Sequence, residues 1–180
     1  MDKKVLVAYA TKRGATAEIA ERIGDVLREK GLTADVLPAD QVRDLTPYNG
    51  VVLGSAVYIG RWRKEAARFL KANKEELADR RVWLFSSGPT GEGDPEELMD
   101  GWRFPGGLQP VADEIEPEAI AVFHGRLDVE KINVLEKWVV NNVGAPMGDF
   151  RDWDAVETWA ASIANALKEE NGEQDQSFGG

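Results

Sequence analysis

Short apolar runs alternate with stretches of helical periodicity along this chain. The first run, Val5-Leu6-Val7-Ala8-Tyr9, is uninterrupted and rich in β-formers. That is the pattern of a strand buried on both faces. Over residues 15–30, Ile19, Ile23 and Leu27 recur every four positions, with Ala20 and Val26 beside them and Gly31 following. The spacing predicts an amphipathic helix closed by a glycine. Strands are predicted over 33–37, stopped by Pro38, over 50–55 and over 82–87, with a second helix over 63–72 through Ala66, Phe69 and Leu70. Residues 88–107 hold six glycines and three prolines, so a long loop is expected there, a kind of segment often tied to function. A short helix over 108–116 has Pro110 in its first turn, and a fifth strand covers 119–123. Val129, Ile132, Leu135, Val139 and Val143 predict a helix over 127–143. Asp154 followed by Glu157 reads as a capping box for a last helix running to about Leu167, and residues 169–180 as a polar, disordered tail.

Five β-runs separated by helices imply an α/β fold: an open parallel sheet of five strands with helices on both faces and right-handed crossovers. No repeat or linker interrupts the pattern, so residues 1–168 read as one domain. With 43 % hydrophobic and 30 % charged residues the chain has an ordinary globular composition. Its apolar runs are too short for a transmembrane span or a secretory signal, and a cytoplasmic location is expected.

Composition narrows the chemistry more than it narrows the fold. There is no cysteine, which excludes disulfides, thiolate chemistry and iron–sulfur ligation. The single histidine, His124, excludes a multi-histidine metal site; it follows the fifth strand, where a solvated or hydrogen-bonded role is the expectation. Any redox chemistry must then come from a bound cofactor. The net charge of −10 argues against nucleic-acid binding and suits docking on a basic protein patch.

In open parallel sheets ligands bind at the carboxyl ends of the strands, so residues just after each strand carry the most information. After the first strand comes Thr11-Lys12-Arg13-Gly14-Ala15-Thr16, leading straight into a helix. Two hydroxyls, a glycine and free N–H groups at a helix N-terminus make an anion site. The same residues also suit a plain capped turn. A Walker loop is absent, and only Gly14 of a Gly-x-Gly-x-x-Gly pattern is present, which disfavours a dinucleotide.

This turn, together with Gly54-Ser55-Ala56 after the third strand and Ser86-Ser87-Gly88 after the fourth, resembles the flavodoxin-like FMN proteins, a three-layer sandwich fold. The branch most similar is that of menaquinone-dependent protoporphyrinogen IX dehydrogenase. Its further marks here are Val52-Leu53-Gly54-Ser55-Ala56-Val57-Tyr58-Ile59-Gly60 and Gly148-Asp149-Phe150-Arg151-Asp152-Trp153. The resemblance implies that Thr11, Arg13, Gly14, Ala15 and Thr16 hold the FMN phosphate, with Lys12 in a variable slot pointing to solvent. It implies that Ser55, Ala56, Val57, Tyr58, Ile59 and Gly60 pack along the flavin ring. Gly60 is the candidate for a peptide that turns toward it. Ser86, Ser87, Gly88, Pro89, Thr90 and Gly91 meet the other side. Tyr58 is the first candidate to stack on the ring and Trp62 the second. Trp83, Trp138 and Trp159 read as packing residues, Trp153 as the anchor of the last helix, and Trp102 stays open between an exposed place and one over the cofactor.

Several classes of function fit the resemblance. One is an electron carrier that binds only redox partner proteins. Another is an oxidoreductase coupled to a quinone, of the porphyrinogen dehydrogenase type; residues 125–148 match the place of that branch's extra helical insertion. A variant is a flavin reductase of quinones or small electrophiles with an open ring face. The insertion is expected to be basic there, whereas Glu130, Lys131, Glu136 and Lys137 balance here. A phosphoacceptor receiver domain is disfavoured, because the first and third strands end without a carboxylate.

Overall fold

In β1 (Lys4–Ala10) alternate side chains face opposite sides of the sheet, and both sides are buried. Val5 and Val7 join one apolar cluster, while Leu6, Ala8 and Ala10 join another. This is why the strand reads as an unbroken apolar run. The structure, a computed structural model, describes residues 3–128 and 133–176. Helix α1 (Ala15–Glu29) follows, then β2 (Thr33–Pro38), β3 (Gly50–Tyr58), β4 (Arg61–Trp62), α2 (Lys64–Ala72), α3 (Lys74–Ala78) and β5 (Arg81–Ser87). The second half holds α4 (Gln109–Ile115), β6 (Ala119–Phe123), β7 (Arg126–Leu127), α5 (Val134–Val143), β8 (Gly148–Asp149) and α6 (Trp153–Gln176).

The five long strands run parallel in the order β2-β1-β3-β5-β6. Helices α1 and α6 cover one face through Ile19, Ile23, Leu27, Val156, Ile163 and Leu167. Helices α2, α3 and α4 cover the other through Ala66, Leu70, Leu77, Ala112 and Ile115. The result is the expected three-layer α/β sandwich with a five-stranded parallel sheet. Its order reverses at β1, so the loops leaving β1 and β3 diverge and open a crevice between them. At the centre of the sheet Gly54 lies in register with Phe85. A Cβ at Gly54 would stand 2.0 Å from the Phe85 ring, so the aromatic cluster of Phe85, Phe123 and Trp159 requires a glycine there.

Several elements differ from the pattern in the sequence. Strand β3 runs on to Tyr58 and turns back through Ile59 and Gly60 into β4, a two-residue hairpin with both central residues at positive φ. The helix expected over 127–143 is α5 alone, starting at Val134; residues 126–127 pair instead with 148–149 in an antiparallel ribbon. Residues 129–132 lie outside the described residues. Trp138 does not pack: it is 65 % exposed. The last helix is capped by Asp152, whose Oδ1 accepts from the Ala155 N–H at 3.1 Å, and Asp154 lies within the first turn. That helix continues past Leu167 to Gln176, and residues 177–180 lie outside the described residues.

Candidate functional site

The turn after β1 is built to present N–H groups. Gly14 caps α1 with φ 91°, a left-handed conformation that favours glycine. Its N–H donates to Thr11 Oγ1 at 2.9 Å, closing the turn. Among the described residues no side chain caps the first turn of α1, so its outward N–H groups suit an anion. Thr16 is buried and its hydroxyl lies 2.8 Å from Ser87 Oγ, which ties this turn to the end of β5.

An open cleft lies over these residues. From the first turn it is lined by Thr11, Lys12, Arg13, Ala15 and Thr16. Ala56, Val57 and Tyr58 line it from the end of β3, and Ser87 and Gly88 from the end of β5. The three segments read from the sequence therefore meet at one place. Gly88 approaches β3 closely: a Cβ there would lie 3.2 Å from Val57 Cβ and 3.3 Å from its carbonyl oxygen. Thr90, expected at the flavin, does not line the cleft; its Oγ1 is buried with no hydrogen-bond partner among the described residues.

Other expected residues support the cleft without lining it. Ser55 is fully buried; its hydroxyl accepts from the Arg63 N–H and donates to the Ala56 carbonyl. Ser86 Oγ accepts from Trp62 Nε1 at 2.8 Å and donates to the Arg103 carbonyl at 3.0 Å. Trp62 is thus a core residue, packed edge-on against Phe104 at 5.0 Å, and does not stack in the cleft. Trp102 packs against the same core, with its Nε1 near Gly60. Ile59 and Gly60 form the exposed tip of the β3–β4 hairpin. Pro89 accepts at its carbonyl from the Gly125 N–H. Gly91 packs near Leu98 and Pro146. His124 is buried, with Nε2 donating to the Gly93 carbonyl at 2.7 Å and Nδ1 3.3 Å from the Pro89 carbonyl, so it braces this loop.

Lys12 is exposed, as expected, but it also makes contacts the sequence did not suggest. Its Nζ sits 4.9 Å from the centroid of the Tyr58 ring and is ion-paired with Glu136. Arg13 pairs with the same carboxylate. Three lining residues were not picked out as site residues: Arg63, Gly125 and Arg126. Arg63 reads as a helix start and reaches the cleft only because the hairpin turns the chain back. Gly125 and Arg126 follow β6, so the rule that reads strand ends could have found them. Arg151 does not line the cleft; its side chain is 5 % exposed, paired with Asp149 and Glu18 and stacked on Trp153 at 4.7 Å. The Arg151 guanidinium holds the Asp149 carboxyl below the usual range.

A flavodoxin domain family model matches residues 6–154. The chain belongs to the flavodoxin domain family. Among curated proteins it is 21 % identical to protoporphyrinogen IX dehydrogenase [quinone] of Escherichia coli K12 over 173 residues, covering 90 % of this chain and 95 % of that protein. Among solved structures, a flavodoxin from the domain Archaea superposes with TM-score 0.61 at 14 % identity, covering 92 % of this chain and 99 % of that one. Oxidised flavodoxin 2 of Bacillus cereus superposes with TM-score 0.56 at 23 % identity, over 92 % and 99 % of the two chains. At these identities the structures establish a shared fold. Membership of the flavodoxin family directs attention to the cleft, because it opens where the sheet order reverses.

Proposed function

We propose that this flavodoxin-family protein binds one FMN in the cleft and moves electrons through it. The observation that carries the reading is the uncapped start of α1, flanked by Thr11, Thr16 and Arg13 and facing the cleft. A phosphate there receives backbone N–H groups, hydroxyls and the positive end of the helix dipole. Ala56, Val57 and Tyr58 on one side and Ser87 and Gly88 on the other offer apolar and aromatic walls with few polar groups, which suits a flat ring. FMN supplies a ring able to take up one or two electrons; the protein's part is to hold and orient it and to set its surroundings.

For the electron partner we favour a quinone, with an organic substrate of the porphyrinogen type as donor. The support is the relative from Escherichia coli, matched along nearly its whole length, and the excursion closed by β7 and β8. Helix α5 in that excursion exposes Val134, Leu135 and Trp138, an apolar face beside the cleft's rim. The other reading is a carrier between proteins, favoured by the net charge of −10. Anaerobic titration of the FMN-loaded protein with dithionite separates the two. Electron uptake in a single two-electron stage, followed by rapid reoxidation with menaquinone, supports the quinone reading. Two well-separated one-electron stages with no reaction toward quinone support the carrier.

A further inference from the structure

Glu136 is a buried acid that the flavin reading does not use: it is 7 % exposed in the described structure. It sits in the first turn of α5. Its N–H donates to Asn133 Oδ1 at 2.8 Å, and its Oε2 accepts from the Asn133 N–H at 3.0 Å. This reciprocal pair is a capping box that fixes both the helix start and the carboxylate. The same carboxylate reaches across to the turn after β1, with Oε1 paired to Lys12 and Oε2 to Arg13. Those are the two cations of residues 11–16. Everything else about that turn suits an anion, and the anion it meets here comes from α5.

We propose that Glu136 is an internal anion that competes with the cofactor phosphate for Lys12 and Arg13, so that the α5 excursion sets how tightly the turn holds a phosphate. The inference rests on the FMN reading above. A phosphate arriving at the uncapped start of α1 meets two cations already shared with a carboxylate. Its pull on them is weaker by the field of one negative charge. At the separations and effective dielectric of a half-buried site, one such charge is worth on the order of tenfold in affinity. A ligand with the same ring and no phosphate does not feel the competition. Glu136 is therefore a positioning residue, acting through Lys12 and Arg13.

The experiment compares FMN with riboflavin. The full chain and its Glu136→Gln variant are titrated with each flavin at low ionic strength, following flavin fluorescence. Glutamine keeps the capping box and removes the charge. The variant is expected to bind FMN about tenfold more tightly while its riboflavin affinity stays within about twofold. The gain should shrink in high salt. Glu136→Asp, which keeps the charge, should stay close to the unmodified chain, and Glu136→Ala should show the same split as Glu136→Gln even if its helix start is weakened. FMN affinity unchanged or lowered in Glu136→Gln, or an equal change for both flavins, overturns the inference while leaving the FMN reading in place. If the unmodified chain binds neither flavin, the FMN reading fails and this inference with it.

Discussion

Thr16 and Lys12 sit four residues apart and do different work. Thr16 is buried, at the start of α1, and its hydroxyl ties the first turn to Ser87. Lys12 lies over Tyr58 and shares its charge with Glu136. On the FMN reading, Thr16→Ala should weaken FMN binding about tenfold, the size of a lost hydrogen bond to a charged group, and Lys12→Ala by only about two- to threefold. Equilibrium titration by flavin fluorescence checks this, and equal losses would count against the placement of the phosphate. Away from the cleft, Tyr48 donates to Asp35 Oδ2 at 2.7 Å, and burial followed by that bond pushes its hydroxyl up to about 12. A raised acid contributes stability that is complete below its unfolded value near 10 and is lost as pH climbs through about 12. Lys4 and then Tyr48 hold Asp35 below its ordinary value, so on the acid side the contribution persists until pH falls through that lowered value. Tyr48→Phe should therefore be less stable by about 1–2 kcal/mol at neutral pH. Denaturant melts should show the gap closing only at strongly alkaline or strongly acid pH.

At the scale of elements, the β3–β4 hairpin carries an evident local conflict. Ile59 has φ 47° and is 70 % exposed, an outlying conformation for a β-branched residue. Ile59→Asn creates an Asn-Gly pair, the favoured filling for a turn with two positive φ values, and gives up little burial. It should raise stability by about 0.5–1 kcal/mol in a thermal melt. This hairpin was illegible in the sequence for the same reason: Ile59 conceals the turn, and with it the route that brings Arg63 to the cleft. The five long strands and α1 were legible because a strand buried on both faces leaves an unbroken apolar run, and a half-buried helix leaves a four-residue period. Helix α5 was only half legible. Its apolar positions predicted a helix, but the period does not say that Leu135 and Trp138 face outward while Glu136 faces in. The cap of α6 went to Asp152 rather than Asp154, since the two lie within one turn and both suit an N-cap. Of the cleft, the three segments were readable as strand ends. The supporting roles of Ser55, Ser86 and Trp62 depend on pairs far apart in sequence that only the fold brings together.

Over the whole molecule the charge is uneven. The chain carries −10, yet Lys12, Arg13, Arg63 and Arg126 all line the cleft. Each has an acidic neighbour: Glu136 for the first two, Glu65 at 3.5 Å for Arg63 and Glu18 at 3.3 Å for Arg126. The arrangement gives an anionic ligand a locally favourable site inside a chain whose overall field is repulsive, so FMN affinity should depend on salt less steeply than a bare count of four cations suggests. No described helix is long and apolar enough to cross a membrane. Glu136 links the turn after β1 to α5, whose Val134, Leu135 and Trp138 are exposed. All of this depends on one claim, that the cleft takes FMN. The direct measurement is a titration of the purified full chain with FMN, read by visible absorption and by quenching of flavin fluorescence. Saturation at one FMN per chain with perturbed flavin bands is the expected result. No binding with FMN in excess would contradict it and leave the three segments as caps and turns of a sheet whose ligand is something else.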